Sequence, residues 1–228
     1  KEGGWKIAMV LETHAHADHL TAAPYIKAKT GAKVAIGEHI RKVQNVFRPV
    51  FEIEDLKPDA GDFDLLLADG EKLLVGNMPI DVLHTPGHTR DSMCLHVQDR
   101  VFTGDTLLIG GTGRTDLPSG NAGELHDSLF NKLLKLDPSL LVFPAHEYKG
   151  REHSTLGQQI AENPRLQKRN RDEFIEMMQS LNLSMPTHIT EALRTNMSGG
   201  KTVAQMLAEA AATVAFMSLA ELDRQIAA

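Results

Sequence analysis

The stretch Thr13-His14-Ala15-His16-Ala17-Asp18-His19 concentrates three histidines and one carboxylate within seven residues. It follows directly on Lys6–Leu11, an apolar run that predicts a buried strand. Residues at alternate positions beyond a strand can point to the same side, so His14 and His16 can share one metal ion. Imidazole and carboxylate suit Zn, Fe or Mn better than Ca or Mg. The stretch therefore predicts a transition-metal site at the end of the first strand.

Further candidate ligands lie at the end of this stretch and downstream of it. Asp18 and His19 lie where we predict that a helix begins. There they can bind a metal at an adjacent position or support its ligands. His88, Asp105 and His146 each follow a predicted strand further along the chain. Because the ends of neighbouring strands in an α/β sheet meet at one edge, we expect these side chains to converge on the first stretch.

The remaining apolar patterns indicate an α/β chain. A helix is predicted over His19–Lys29, whereas Val43–Gly70 is predicted to be mostly loop because it has weak periodicity and several Pro, Gly and Asp residues. Gln98-Asp99 is predicted to join two strands of a hairpin. From Ser154 onward the chain is predicted to be helical. Further predicted strands are Lys33–Ile36, Glu71–Val75, Ile80–His84, Ser92–Val97, Arg100–Thr103 and Leu140–Phe143, and a further helix is predicted over Gly123–Leu136.

The composition is that of a globular protein, with 228 residues, of which 42% are hydrophobic and 24% charged, and a net charge of -6. The acidic balance argues against a nucleic-acid surface, which needs a basic patch. No apolar run is long enough to span a bilayer, so no membrane partner is expected. Cys94 is the only cysteine, which excludes an internal disulfide and favours a reducing, cytoplasmic compartment.

Finer motifs accompany the candidate ligands. The run Leu107–Asp116, which includes Gly113-Arg114, is followed in order by Pro144–Gly150 and Asn163–Leu166. Together with the Thr13–His19 stretch, this series resembles the persulfide dioxygenases (sulfur dioxygenases), relatives of the glyoxalase II thioesterases in the metallo-β-lactamase superfamily. The resemblance extends from about Lys6 to Gly200. It implies an α/β fold, an αββα sandwich of the metallo-β-lactamase type, with the site at the sheet edges.

The resemblance also implies a metal and a reaction. In that family one Fe(II) ion per chain is held by two histidines and one aspartate, which implies His14, His88 and Asp105 as the metal ligands here. Three ligands of this kind occupy one face of the iron and leave its other coordination positions open for substrate and O2. The implied reaction oxidises a persulfide, typically glutathione persulfide, with O2 and water to thiol and sulfite. The catalytic side chains that orient the ligands and tune the iron would then be His16, Asp18, His19 and His146.

Glutathione carries two carboxylates, so cations near these motifs are candidate anion contacts. Arg114 is the strongest candidate and is included among the catalytic residues, followed by Lys149, Arg151 and Arg165.

The chief alternative to this function is a dinuclear zinc thioesterase of the glyoxalase II type, in which all seven candidate side chains bind metal and a bridging hydroxide attacks a thioester. An alternative of another class is a non-catalytic module that retains the fold.

The two ends of the chain depart from the family pattern. Relatives carry a longer opening segment, whereas thirteen residues precede His14, so we expect part of the first β-layer to be absent from this chain. Residues 1–200 are expected to form the catalytic domain, and residues 201–228 a helical extension or linker. Ala215–Leu222 resembles the opening of a rhodanese-like domain. A homodimer and a fused or partner rhodanese domain are the associations that the resemblance suggests.

Overall fold

Two β-sheets form the centre of the fold. The computed structural model describes residues 4–50, 52, 56–147, 149–151, 153–167, 170–186 and 189–199. The first sheet consists of β1 (Met9–Leu11), β2 (Lys33–Gly37) and β3 (Leu65–Leu67). All three strands run parallel in this order, so their carboxyl ends lie at the same edge.

The second sheet has six strands, which lie side by side in sequence order. They are β4 (Lys72–Val75), β5 (Met78–His84), β6 (Met93–Val97), β7 (Arg100–Gly104), β8 (Leu141–Pro144) and β9 (Ser154–Thr155). Neighbouring strands are antiparallel except β7 and β8, which run parallel with Gly104 opposite Pro144. The chain segments that follow β7 and β8 therefore leave the sheet at the same edge.

Helices cover the outer faces of both sheets. In the described part of the chain these are α1 (Ala23–Thr30), α2 (Ile40–Val50), α3 (Ala122–Asn131), α4 (Leu156–Glu162), α5 (Arg171–Gln179) and α6 (Ile189–Met197). One-turn 3-10 helices lie at Leu133–Lys135 and Pro164–Leu166. Asn121 begins α3 by accepting a hydrogen bond from the Glu124 amide, and Gly31 ends α1 with a left-handed backbone.

Side chains at alternate positions of a strand point to opposite faces of the sheet and therefore belong to different apolar layers, of which there are three. Val34 and Ile36 of β2 face the helices α2 and α6, whereas Ala35 between them faces the second sheet. In the same way Cys94 of β6 packs with α3 and α5, while Met93 packs between the sheets. This order of helix, sheet, sheet and helix confirms the predicted αββα sandwich.

The prediction that Val43–Gly70 is mostly loop holds for just over half of the described residues of this stretch, but it missed most of α2 and the strand β3. Ile40, Val43, Gln44 and Phe47 are buried along one face of α2 at helical spacing. Gln44 interrupts the apolar pattern with a polar residue at a core position, and Pro49 lies within the last turn. The helix predicted over His19–Lys29 also begins later, at Ala23, with Pro24 in its first turn.

The remaining expectations about chain organisation fall at the ends of the sequence. Residues 201–228, including Ala215–Leu222, lie outside the described residues, so the extension and the rhodanese resemblance stay predictions. The first sheet has three strands in the described part of the chain, and the loss of opening strands also stays a prediction. None of the described helices has the length and apolar character that a bilayer span requires.

Candidate metal centre

Four strand ends bring the candidate ligands together at one edge of the sandwich. His14 follows β1 of the first sheet, whereas His88, Asp105 and His146 follow β5, β7 and β8 of the second. The ligand atoms fall into two groups, and within each group they lie within 4.8 Å of one another. The predicted convergence of these side chains is therefore present in the structure.

The first group consists of His14, His88 and Asp105. Nε2 of His88 lies 3.3 Å from Oδ2 of Asp105, and Nε2 of His14 lies 3.8 Å from the same oxygen. All three side chains are buried. Two imidazole nitrogens and one carboxylate oxygen thus face a common centre.

The polar atoms of this group indicate that an ion belongs between them. Among the described residues, Nε2 of His14 and Oδ1 of Asp105 are buried and have no hydrogen-bond partner, a costly state that a bound ion relieves. Burial, followed by the neighbouring histidines His16 and His88, holds the pKa of His14 well below its usual value of 6.5. His14 is therefore a neutral imidazole at physiological pH, the form that binds metal.

Contacts behind the ligands fix which nitrogen faces the centre. Nδ1 of His88 donates a hydrogen bond to the carbonyl oxygen of Arg114 (2.8 Å), which leaves the lone pair on Nε2 for a metal. Nδ1 of His14 shares a hydrogen bond with Oγ1 of Thr13 (3.1 Å), so its Nε2 likewise faces Asp105. The first group is thus oriented before any ion binds.

The second group consists of His16, Asp18, His19 and His146. Nε2 of His146 lies 3.3 Å from Oδ2 of Asp18 and 3.7 Å from Oδ1 of Asp105, so His146 stands between the two groups. Asp18 and His19 are partly exposed, whereas His16 is buried. The second group is the more open of the two.

The structure separates His16 from His14 and corrects the placement of Asp18 and His19. The sequence allowed His14 and His16 to share a metal ion, whereas the family resemblance placed His16 outside the three metal ligands. The two rings are close, with 4.0 Å between their centroids, but the ligand nitrogen of His16 groups with Asp18, His19 and His146. Asp18 and His19 were expected at the start of a helix, whereas they lie in the loop that precedes α1. The loop turns the chain between the two histidines, so they serve different groups.

Two glycines allow the close packing around the first group. A Cβ atom on Gly113 would lie 2.3 Å from the carbonyl oxygen of Asp105 and 2.8 Å from Cγ of His88. Gly104 has a φ of 50°, and a Cβ atom there would lie 2.7 Å from Oγ1 of Thr13. Gly104 at the end of β7 and the glycine-rich loop (Gly110–Gly120) therefore pack directly against the ligands and the residue that precedes them.

Two buried supporting residues were missed in the sequence. Asp91 accepts a hydrogen bond from the Ala15 amide (2.9 Å), and Asn196 on α6 donates to the carbonyl oxygens of His16 (2.8 Å) and His19 (2.7 Å). The pKa of Asp91 is raised, mainly by its burial. Neither residue lies in a motif with ligand spacing, and Asn196 is 180 residues from His16, so no local signal pointed to it.

A cleft of about 460 Å³ opens beside the two groups. Asp18, His88, Asp105 and His146 form its inner end. Its apolar wall is formed by Ala17, Leu108, Leu117, Leu183, Met185 and Pro186. The site can therefore admit a small molecule whose reactive end reaches the ligands while its remaining atoms contact apolar side chains.

The candidate anion contacts in the described part of the chain are largely engaged with protein groups. Arg114 lines the cleft, but its guanidinium forms two 2.7 Å bonds to the Asp116 carboxylate and another 2.7 Å bond to the Ser184 carbonyl oxygen. Arg151 pairs with Glu147, and Arg165 donates to the Thr112 carbonyl oxygen (2.8 Å). Lys149 is exposed and does not line the cleft.

We expect the metal-free protein to lose stability as the pH falls from 6.5 towards 3. Burial, followed by the neighbouring His19, lowers the pKa of His16 to about 3, so in this range the unfolded chain binds protons that the folded chain does not. His16 alone should lower the free energy of unfolding at pH 5 by about 2 kcal/mol relative to neutral pH. Urea unfolding of the metal-free protein at both pH values measures this, with His16→Asn as control. Equal stability of the native chain at pH 5 and pH 7 would contradict the assignment.

The family is settled by comparison with known proteins. The model of the metallo-beta-lactamase superfamily matches residues 1–146, the segment that ends on the last histidine of the centre. The chain belongs to the metallo-beta-lactamase superfamily. This is an enzymatic, metal-dependent superfamily, and the ligand arrangement above fits it.

Individual relatives refine this picture. The crystal structure of ETHE1 from Myxococcus xanthus is 36% identical, with a TM-score of 0.76 over 88% of this chain and 80% of that one. The mitochondrial persulfide dioxygenase ETHE1 of Mus musculus is 32% identical over 88% of this chain and 72% of its own. Glyoxylase B2 of Dictyostelium discoideum is 34% identical over 88% and 73%. The beta-lactamase hydrolase-like protein of Agrobacterium fabrum is 36% identical over 88% of this chain, and the chain spans only 48% of the length of that relative.

Proposed function

We propose that this chain is an Fe(II)-dependent persulfide dioxygenase that oxidises a low-molecular-weight persulfide such as glutathione persulfide. The observation that carries the proposal is the separate group His14, His88 and Asp105, which offers two histidines and one carboxylate beside an open cleft. This donor set suits non-haem iron that must leave coordination positions open. The similarity to ETHE1 proteins supports the same reaction.

The reaction balances as R-S-SH + O2 + H2O giving R-SH, sulfite and two protons. The S–S bond breaks, the outer sulfur is oxidised, and O2 is reduced. An Fe(II) ion held by the first group would supply open coordination positions and the electron chemistry that a reaction with O2 requires. The chain itself must position the persulfide and remove protons from the attacking water.

The second group is suited to proton transfer at the inner end of the cleft. His146 and Asp18 line the cleft with their nearest side-chain atoms 3.3 Å apart, and we assign them to accept protons from the water. His16 is neutral at physiological pH because its pKa is lowered to about 3, so it orients its neighbours without adding positive charge. His19 completes this group at its exposed side.

We assign Arg114 to shaping the cleft. Its charge is balanced by Asp116, while its donors hold the carbonyl oxygens of Leu183 (3.4 Å) and Ser184 (2.7 Å) in the segment that forms the apolar wall. Arg114 therefore fixes the wall against the glycine-rich loop. This role replaces the expected direct contact with a substrate carboxylate.

A dinuclear zinc thioesterase is the second candidate function. The observation that favours it is the second group, which offers a full set of imidazole and carboxylate ligands next to Asp105. Two adjacent ions could activate a hydroxide for attack on a thioester. We rank this candidate second because the first group alone supplies the ligands that an oxygenase needs.

Oxygen consumption separates the two candidates. With glutathione persulfide, we expect O2 uptake and sulfite formation in a one-to-one ratio, since the balanced reaction uses one O2 per sulfite. An oxygen electrode and a sulfite assay measure both quantities, and S-lactoylglutathione serves as the thioester control. The proposal fails if the thioester is hydrolysed equally well with and without O2 while the persulfide causes no oxygen uptake.

The remaining assignments are part of the proposal. We infer a persulfide and O2 as partners, and neither a nucleic acid nor a membrane. A homodimer and an associated rhodanese domain stay predictions. A cytoplasmic location is likewise a prediction, and the mouse relative is named as mitochondrial.

A further inference from the structure

Two buried side chains hold the loop that carries the first ligands, which we call the metal loop (Thr13–Thr21). Asp91 reaches it from the segment before β6, and Asn196 reaches it from α6. Asp91 is completely buried, and the exposed fraction of Asn196 is 4%. The contacts of the two residues fall on different parts of the loop.

The first part of the metal loop is attached to the second sheet. Asp91 accepts from the Ala15 amide, and the Met93 amide donates to the Thr13 carbonyl oxygen (3.0 Å). These bonds flank His14, which belongs to the first ligand group. The position of His14 is therefore tied to the same layer that carries His88 and Asp105.

The second part of the metal loop is attached to α6. Nδ2 of Asn196 donates to the carbonyl oxygens of His16 and His19, and its Oδ1 accepts from the Thr21 amide (3.0 Å). Asn196 thus bridges both ends of the turn that carries Asp18. All the turn's ligands belong to the second group.

The amide of Asn196 has only one favourable orientation. Its two N–H bonds face two carbonyl oxygens, and its oxygen faces an N–H group, so every partner is complementary. A flipped amide would place its oxygen against both carbonyl oxygens. The side chain consequently fixes the spacing of His16 and His19 as well as the direction of the turn.

We propose that Asn196 is a positioning residue that sets the geometry of the second ligand group, independently of Asp91, which sets that of the first. The inference deepens the proposed function, because the second group is the one assigned to proton transfer. Loss of Asn196 should therefore impair turnover without releasing the metal. Loss of Asp91 should weaken metal binding.

Gln44 provides a matched control, since it anchors the same helix without touching the metal loop. Its Nε2 donates to the Met197 carbonyl oxygen (2.8 Å), and its Oε1 accepts from the Ala60 amide (3.2 Å). Gln44 is fully buried. A Gln44→Met variant should lower stability as a core change does, while the bonds between Asn196 and the metal loop remain.

The test compares Asn196→Leu, Asn196→Asp, Asp91→Leu and Gln44→Met in the whole chain. For both Asn196 variants we expect kcat to fall about tenfold with persulfide, with bound metal unchanged within about twofold. In Asn196→Leu, which removes the acceptor of the Thr21 amide, hydrogen exchange at that amide should accelerate at least about fivefold. Asp91→Leu should lower metal affinity about tenfold, and Gln44→Met should leave kcat within about twofold of native.

The Asn196→Asp variant keeps the test decisive if Asn196→Leu does not fold, because it has nearly the same shape, preserves the acceptor for Thr21 and, as a neutral acid, keeps one of the two donors. The proposal is overturned if Asn196→Asp releases metal as Asp91→Leu does. It is also overturned if the Thr21 amide of Asn196→Leu exchanges at the native rate, or if Gln44→Met reproduces the loss of kcat. Metal content and exchange decide these outcomes even if the native protein consumes no O2 with persulfide.

Discussion

Asp105→Ala is expected to abolish metal binding and turnover together. The first group contains three ligands, and Asp105 is its only anion, so the variant leaves two neutral imidazoles around a divalent cation. Asp105 is also the group whose Oδ2 lies within 4 Å of both histidine nitrogens. We expect about one metal ion per native chain and none in the variant, as measured by elemental analysis of protein purified without added metal.

His146→Ala is the matched comparison. His146 lies 3.7 Å from Asp105 but belongs to the second group, so its loss should lower metal affinity or rate only by roughly ten- to a hundredfold. Both variants should keep the far-ultraviolet circular dichroism of the native chain, because neither side chain contributes to the apolar layers. Complete metal loss in both variants, or two ions per native chain, would contradict the mononuclear arrangement.

Gly113→Ala is expected to disrupt the centre although glycine offers no ligand. The added methyl group would overlap the Asp105 carbonyl oxygen at 2.3 Å and the His88 ring at 2.8 Å. His88 is held by the neighbouring Arg114 carbonyl oxygen, so it cannot move away without losing that bond. We expect metal affinity to fall at least about tenfold and the free energy of unfolding to fall by about 1–3 kcal/mol.

Gly111→Ala controls for the same substitution two residues earlier in the loop. A Cβ atom on Gly111 would meet no atom within 4 Å, so this variant should change stability by less than about 0.5 kcal/mol and leave metal binding intact. Metal titration and thermal unfolding of the two variants provide the measurement. Similar behaviour of both would show that the loop relaxes and that the close contact has no role.

The ligands were predictable because each lies in a local pattern that physical chemistry constrains. His14 and Asp105 follow apolar strands, and the edge at which parallel strands end is a property of the fold. The layered fold itself was accessible from the alternation of strands and helices together with the family resemblance. The spacing of His14 and His16 alone left open whether they share a metal ion, since the loop that turns His16 away from His14 has no periodic signal.

The supporting contacts were not predictable, because they join residues that are distant in the sequence. Asn196 looks like any polar residue of a helix until α6 packs beside the metal loop. The helix α2 was missed for a related reason. Gln44 is a polar residue at a buried position, so the apolar spacing that would indicate an amphipathic helix is interrupted there. The pairing of Arg114 with Asp116 shows that a conspicuous cation can already be neutralised by a close neighbour.

The spread of the centre along the chain has a consequence for its biosynthesis. Ribosomes add about 5–20 residues per second, so roughly 10–40 s separate the synthesis of His14 from that of Asn196. During that interval the earliest ligand is made while the residue that steadies its loop does not yet exist. An ion bound as soon as His14, His88 and Asp105 have been made would therefore lie beside a second ligand group whose geometry is not yet fixed, and turnover has to wait for the synthesis of Asn196.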